Sequence, residues 1–249
     1  MAIHAAMVDR IDQESGRVID QLKKMNVFDN TIVFFLSDNG ASAEIMIRGN
    51  GHDRLAEPGS EASYLCLGPG WAGASNTPFR LYKSWTHEGG IATPLIVHWP
   101  EGIKDKGTIR TGQGHVIDFI PTFLELTGIH QAETWNGSTV PVLPGKSLLP
   151  AIFGNNSVNH EFLYFHHGGL FKNDPDNCAL RMGQWKIVTS KTVGKYWELY
   201  DLRKDRGEQK DLSGEKPEIL SKIVQKWTEL DELYRSEEHT SELQSRQSI

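Results

Sequence analysis

The sequence predicts an α/β protein in which a mixed, mostly parallel sheet is flanked by helices and is followed by a small antiparallel sheet and a closing helix. Three observations carry this. Ile3, Met7, Ile11, Val18, Leu22 and Met25 recur at helical spacing and open the chain on an amphipathic helix. Residues 30–37, NTIVFFLS, then form a continuous apolar run rich in β-branched and aromatic residues, the pattern of a parallel strand covered on both faces. From about Glu161 the pattern changes to short strand-like runs (FLYFHH, ALRMGQWKIVTS, YWELYDL) separated by Gly, Asn, Asp and Lys. Residues 1–153 are thus read as a large α/β region, and 154–234 as a small α+β subdomain.

In order along the chain, residues 40–79 are rich in Gly, Ser, Pro and Ala without a sustained period, and read as a long excursion from the sheet. Long irregular loops inside compact domains are usually functional. PLIVHW at 94–99 is a second buried strand, stopped by Pro100, and VIDFIPTFLELT at 116–127 is a helix ended by Gly128. Asp118 and Pro121 suit its start. Trp185, Trp197 and Tyr200 are expected in the core of the small sheet, against a final helix from Pro217 to Tyr234.

Composition narrows the function. The chain has 249 residues, 38 % of them apolar, and a net charge of −6 with both signs interleaved. No basic stripe offers itself to nucleic acid, and no apolar run reaches the roughly 20 residues of a membrane span. Cys66 and Cys178 are too few and too far apart for a disulfide framework or a zinc knuckle. Oligomeric state has no signature.

Asp38 and Asn39 follow the first buried strand directly, and open α/β sheets bind ligands beyond the carboxyl ends of their strands. A carboxylate beside an amide carbonyl offers hard oxygens suited to Ca²⁺ or Mg²⁺. Taken alone, the pair reads more simply as an Asx-turn. His166 and His167 are adjacent and would point to opposite faces of a strand. His52, His98 and His115 read as loop or core histidines, and Trp71 and Trp85 as packing residues before stacking ones. Sequons stand at Asn136 and Asn155.

The run DNTIVFFLSDNGAS followed by KSWTHEGGIATPLIVHWP, then HVIDFIPTFLELTG, PGKSLLP, ALRMGQWKIV and WELYDLRKDRGEQKDL, resembles the arylsulfatase-type sulfatases of the alkaline-phosphatase-like superfamily, in their order and spacing. That resemblance implies a sulfuric ester hydrolase acting on small-molecule or glycan sulfate esters. It makes Asp38 and Asn39 ligands of one Ca²⁺, and Lys83 of the K-x-x-x-x-E-G-G motif the sulfate contact. His87 is a weaker catalytic candidate, and Glu88, Gly89 and Gly90 read as scaffold, the glycines through special backbone angles. Asn39, where phosphatases of the superfamily carry His, argues for calcium. The alternatives are a phosphatase or phosphodiesterase of the same superfamily and a non-catalytic relative that binds sulfated glycans.

The family's nucleophile is a formylglycine made from Cys or Ser in a C/S-x-P-x-R motif, and no such motif occurs in this sequence. The expectation is therefore a C-terminal piece of such an enzyme, inactive alone, its nucleophile upstream, with periplasmic or secreted location implied by the resemblance. Residues 235–249, containing RSEEHTSELQS, resemble a translated sequencing adapter and are expected to be a disordered tail.

Overall fold

A computed structural model describes residues 1–45, 53, 55–154, 158–168, 177–190 and 197–247, with 235–247 as backbone. His52 and the Asn155 sequon lie outside the described residues. The elements are α1 (Ala2–Lys24), β1 (Val33–Leu36), α2 (Gly68–Ser75), α3 (Glu88–Ile91), β2 (Leu95–His98), α4 (Phe119–Thr127), β3 (Thr134–Trp135), β4 (Ser138–Thr139), α5 (Leu149–Phe153), β5 (Leu163–His167), β6 (Asn177–Met182), β7 (Trp185–Ser190), β8 (Glu198–Asp201) and α6 (Pro217–Gln247). They fall into two compact units, one of Met1–Asp12, Ser37–Pro94 and Glu161–Ile249, the other of Gln13–Leu36 and Leu95–His160.

In the second unit β1 and β2 pair antiparallel, Val33 opposite His98 and Leu36 opposite Leu95. Every sheet among the described residues is antiparallel, which corrects the mostly parallel sheet read from the sequence. The physical reason is that a continuous apolar run reports two apolar faces and says nothing of strand direction. One face of the ribbon carries Phe34, whose ring meets Phe119 and Phe123 of α4 at 5.4 and 5.6 Å. On the other face, Phe35 and Ile96 are exposed.

Asp118 is the polar hub of this unit. It is fully buried, and its carboxylate accepts the backbone N–H groups of His115 (2.7 Å) and Lys146 (2.8 Å) while facing His160 Nε2 at 2.9 Å. The helix read over 116–127 is a 3₁₀ turn at Val116–Asp118 running into α4, and Gly128 ends it at φ 68°. His115 caps the turn, and His98 stacks on Phe28.

In the first unit β5–β8 form an antiparallel sheet in sequential order. Alternation along its strands gives two apolar faces: Leu180, Ile187 and Leu199 pack with Ile223 and Leu230 of α6, and Ala179, Val188 and Tyr200 form a second cluster with Leu202. Trp185 and Trp197 lie against the α6 cluster, whereas Tyr200 belongs to the opposite face. α6 does not stop at Tyr234; its backbone stays helical to Gln247, through a stretch rich in good helix formers such as Glu, Gln, Leu and Arg. Within the excursion of residues 40–79, α2 is a helix that its Gly-, Ala- and Ser-rich sequence does not announce.

Candidate functional site

The chain leaves β1 at Leu36 and enters the first unit at Ser37, so Asp38 and Asn39 open a loop that must pack at once. Gly40 makes that possible. Its N–H donates to the Gly90 carbonyl at 2.9 Å, and a Cβ at residue 40 would lie 1.8 Å from the Gly89 carbonyl oxygen. Ala41 continues the seam, donating its N–H to Asn76 Oδ1 (3.0 Å) and accepting that of Lys83 (3.1 Å). These bonds lay the loop of Asp38 and Asn39 along the segment that carries Lys83. Gly89 and Gly90 serve the same close approach: their added Cβ atoms would meet carbonyls at 2.2 and 1.9 Å, and neither has a positive φ. Their role is steric, which corrects the special backbone angles expected of them.

Lys83 itself sits between two residues with left-handed backbone, Leu81 (φ 65°) and Ser84 (φ 75°). Such conformations cost a non-glycine residue roughly 1–2 kcal/mol each. Asn76 Nδ2 donates to the Leu81 carbonyl at 3.0 Å and Asn177 Nδ2 to that of Ser84 at 2.8 Å. The Lys83 ammonium is part-exposed and lies 3.3 Å from Glu44 Oε1.

Behind Lys83 the segment is fastened to the C-terminal sheet by charge. Glu88 and Glu208 both place a carboxylate oxygen 2.9 Å from the ammonium of Lys186, all three side chains being 4 % exposed or less. The N–H of Glu88 also donates to Glu208 Oε2 at 2.8 Å. A second cluster gathers on Glu198, whose Oε2 lies 3.1 Å from Arg80 Nη1 and from His87 Nε2 and accepts the Tyr200 hydroxyl at 2.7 Å. The bond to His87 is the largest influence on Glu198, and together with Tyr200 and the charge of Arg80 it outweighs burial and holds that carboxyl at about 2. Burial, then the bond to Glu198, pushes the Tyr200 hydroxyl up.

A carboxyl that titrates lower in the folded chain than in the unfolded chain contributes stability that is complete above the unfolded value and is lost as pH falls. The Glu198 cluster should therefore contribute fully above about pH 4.5 and fade toward pH 2, by about 1–2 kcal/mol after solvent screening. Urea midpoints of the wild type and Glu198→Gln are expected to differ at pH 7 and to converge toward pH 3. Parallel pH profiles would contradict this.

The structure thus brings Asp38, Asn39 and Lys83 onto adjoining loops. It places His87 elsewhere: the ring is 3 % exposed, edge-on to Trp85 at 5.9 Å and committed through Nε2 to Glu198, with Nδ1 lacking a hydrogen-bond partner among the described residues. His166 and His167 are exposed on β5 opposite Cys178 and Asn177, and Cys66 and Cys178 form no disulfide. Trp71 is 54 % exposed rather than packed, and lines an open apolar cleft of about 410 Å³ with Ile45, Leu67 and Pro69. Asn76 and Asn177 lie outside the motif runs, and Lys186, Glu198 and Glu208, though within them, meet partners as distant as Glu88, His87 and Arg80.

For a metal, the donor chemistry fits a hard cation. Asp38 is exposed, Asn39 is half-buried, and neither side chain makes a hydrogen bond or ion pair among the described residues. A Ca²⁺ takes 6–8 oxygens, so this pair alone would not complete its shell. No group of three or more His, Cys, Asp or Glu is poised for a metal among the described residues. No helix among them is long and apolar enough to cross a membrane.

The sulfatase family model matches residues 1–129, and that of the N-sulphoglucosamine sulphohydrolase C-terminal region matches 79–236. An uncharacterized sulfatase of Schizosaccharomyces pombe is 34 % identical over 240 residues, covering 91 % of this chain and 42 % of its own. The arylsulfatase of Klebsiella aerogenes is 33 % identical, covering 58 % and 32 %. The crystal structure of Ps i-CgsB superposes with a TM-score of 0.67 at 27 % identity, over 90 % of this chain and 41 % of that one. Its complex with k-i-k-neocarrahexaose gives 0.66 at 26 %, over 91 % and 42 %. The chain thus spans about two fifths of the length of the first of these relatives. Because the two models together run from residue 1 to 236, beginning with that of the sulfatase domain itself, the expectation of a C-terminal piece whose nucleophile lies upstream is corrected. With more than half its length matched by the sulfatase model, this chain belongs to the sulfatase family.

Proposed function

We propose that the protein is a sulfuric ester hydrolase for sulfated saccharides, in which Asp38 and Asn39 hold Ca²⁺ and Lys83 binds the sulfate group. The observation that carries the reading is the seam of backbone bonds from the Gly40 N–H to the Gly90 carbonyl and from the Lys83 N–H to the Ala41 carbonyl, which sets two oxygen donors and an ammonium on neighbouring loops. As the S–O bond of a sulfate monoester breaks, negative charge grows on the bridging oxygen, and fixed positive charge nearby lowers that barrier. Lys83 is suited to grip a non-bridging sulfate oxygen and to orient the ester, exchanging its exposed pairing with Glu44 for the anion. Bound Ca²⁺ would supply further charge at the same place. The amide of Asn39, an oxygen donor where an imidazole would favour zinc or manganese, supports a hard cation over a phosphatase-type metal centre. The family's formylglycine would be the nucleophile, and no residue of this sequence lies in its motif. A saccharide substrate is supported by the oligosaccharide named in the Ps i-CgsB complex.

The test is binding of inorganic sulfate and of Ca²⁺ by calorimetry, with hydrolysis of 4-nitrophenyl sulfate as a second readout. Lys83→Ala should weaken sulfate binding by about 100-fold while sparing Ca²⁺, in the range of a lost transition-state donor. Asp38→Ala should weaken Ca²⁺ at least tenfold. Sulfate binding indifferent to Lys83→Ala would remove that lysine from the site.

A further inference from the structure

We infer that Asn76 and Asn177 are positioning residues for Lys83, their carboxamides holding in place the two left-handed residues that bracket it. The inference rests on the proposal above that Lys83 is the sulfate ligand. Leucine and serine adopt positive φ rarely, and a leucine has no polar atom with which to satisfy its own backbone there. Residues held in this way persist only where their surroundings over-determine them. Here each is held through its carbonyl: Leu81 by Asn76 Nδ2 at 3.0 Å, Ser84 by Asn177 Nδ2 at 2.8 Å.

The two carboxamides fasten Lys83 to different supports. Asn76 Oδ1 accepts the N–H of Ala41 at 3.0 Å, so one side chain ties the Lys83 segment to the loop of Asp38 and Asn39. Asn177 opens β6, is 2 % exposed and anchors the far side of Lys83 to the C-terminal sheet. Its Oδ1 is buried without a hydrogen-bond partner among the described residues, a costly state that leaves its donation to Ser84 as what the side chain does there. An ammonium on a flexible stem needs a fixed root if it is to meet a sulfate oxygen repeatedly in one geometry.

The experiment is titration of the chain with inorganic sulfate, followed by calorimetry and by the resonances of labelled lysine side chains, in variants whose fold is checked by circular dichroism. Asn76→Ala and Asn177→Ala should each weaken sulfate binding about 10–100-fold, the range for residues that orient a ligand-binding group. Should Asn177→Ala not fold, Asn76→Ala at its half-buried site carries the test. Adding Leu81→Gly to Asn76→Ala should restore much of the loss, because glycine holds a left-handed backbone without help; a purely structural role would show no such rescue. If sulfate binding does not depend on Lys83, the functional proposal fails. If it depends on Lys83 but stays within twofold of wild type in the folded Asn76→Ala and Asn177→Ala variants, or if glycine at residue 81 brings no recovery, the positioning role is overturned.

Discussion

Replacing Lys186 by methionine is expected to cost about 3–5 kcal/mol of folding stability, enough to consume much of the 5–15 kcal/mol typical of a domain. Lys186 is fully buried and stands 2.9 Å from both Glu88 and Glu208, so its removal leaves two carboxylates facing each other without a cation. Arg206 cannot replace it: the guanidinium is mostly exposed and reaches only Glu88, at 3.9 Å. The triad itself need not be a net source of stability, since desolvating three charges offsets much of their attraction. That distinction can be measured. Lys186→Met combined with Glu88→Gln and Glu208→Gln should recover most of the loss in urea denaturation, because the glutamine oxygens can still accept hydrogen bonds without carrying charge. A single Lys186→Met variant as stable as wild type would show that the three groups do not share a buried site.

The triad also marks the boundary of what the sequence discloses. Glu88 was recognisable as scaffold from its motif, but Lys186 lies in the strand-like run ALRMGQWKIVTS, where nothing local marks it as a buried cation. Its partners are Glu88 in another element and Glu208 beyond β8, and no local pattern links them. Asn76 and Asn177 were hidden for the same reason, because the carbonyls they serve belong to a loop whose left-handed residues are not glycines. Asp38, Asn39 and Lys83 stood out as candidates because a strand end and a spaced motif are local features, and the structure sets their loops side by side. The strands themselves were legible as apolar runs, and Gly128 as a helix end. Their direction was not, since parallel and antiparallel neighbours bury the same residues and differ only in a pairing that the chain makes at long range. The half-exposed β1 and β2 show how little a continuous apolar run specifies beyond its own two faces.

Gly40→Ala is expected to destabilise by about 3 kcal/mol or more and to lower sulfate binding with it, since overpacking against an unyielding wall exceeds the usual 1–3 kcal/mol. The wall is backbone: the new methyl would lie 1.8 Å from the Gly89 carbonyl oxygen and 3.1 Å from the Gly90 Cα, and no side-chain rotamer can relieve it. Gly89 and Gly90 are themselves pressed on the carbonyls of Arg80, Leu81 and Trp85, so the strain cannot pass to them. The alternative open to the chain is to part the loop of Asp38 and Asn39 from the Lys83 segment, breaking the 2.9 Å bond from Gly40 to Gly90. Stability and ligand binding should then fall together. Gly70→Ala and Gly73→Ala on α2 provide the contrast, for an added Cβ meets nothing within 4 Å at either position. Those variants should be neutral or gain up to about 1 kcal/mol from helix propensity, with sulfate binding unchanged. A Gly40→Ala variant that matched them in both urea midpoint and sulfate affinity would mean that the two loops are not held against each other, and the site would lose the seam on which its geometry depends.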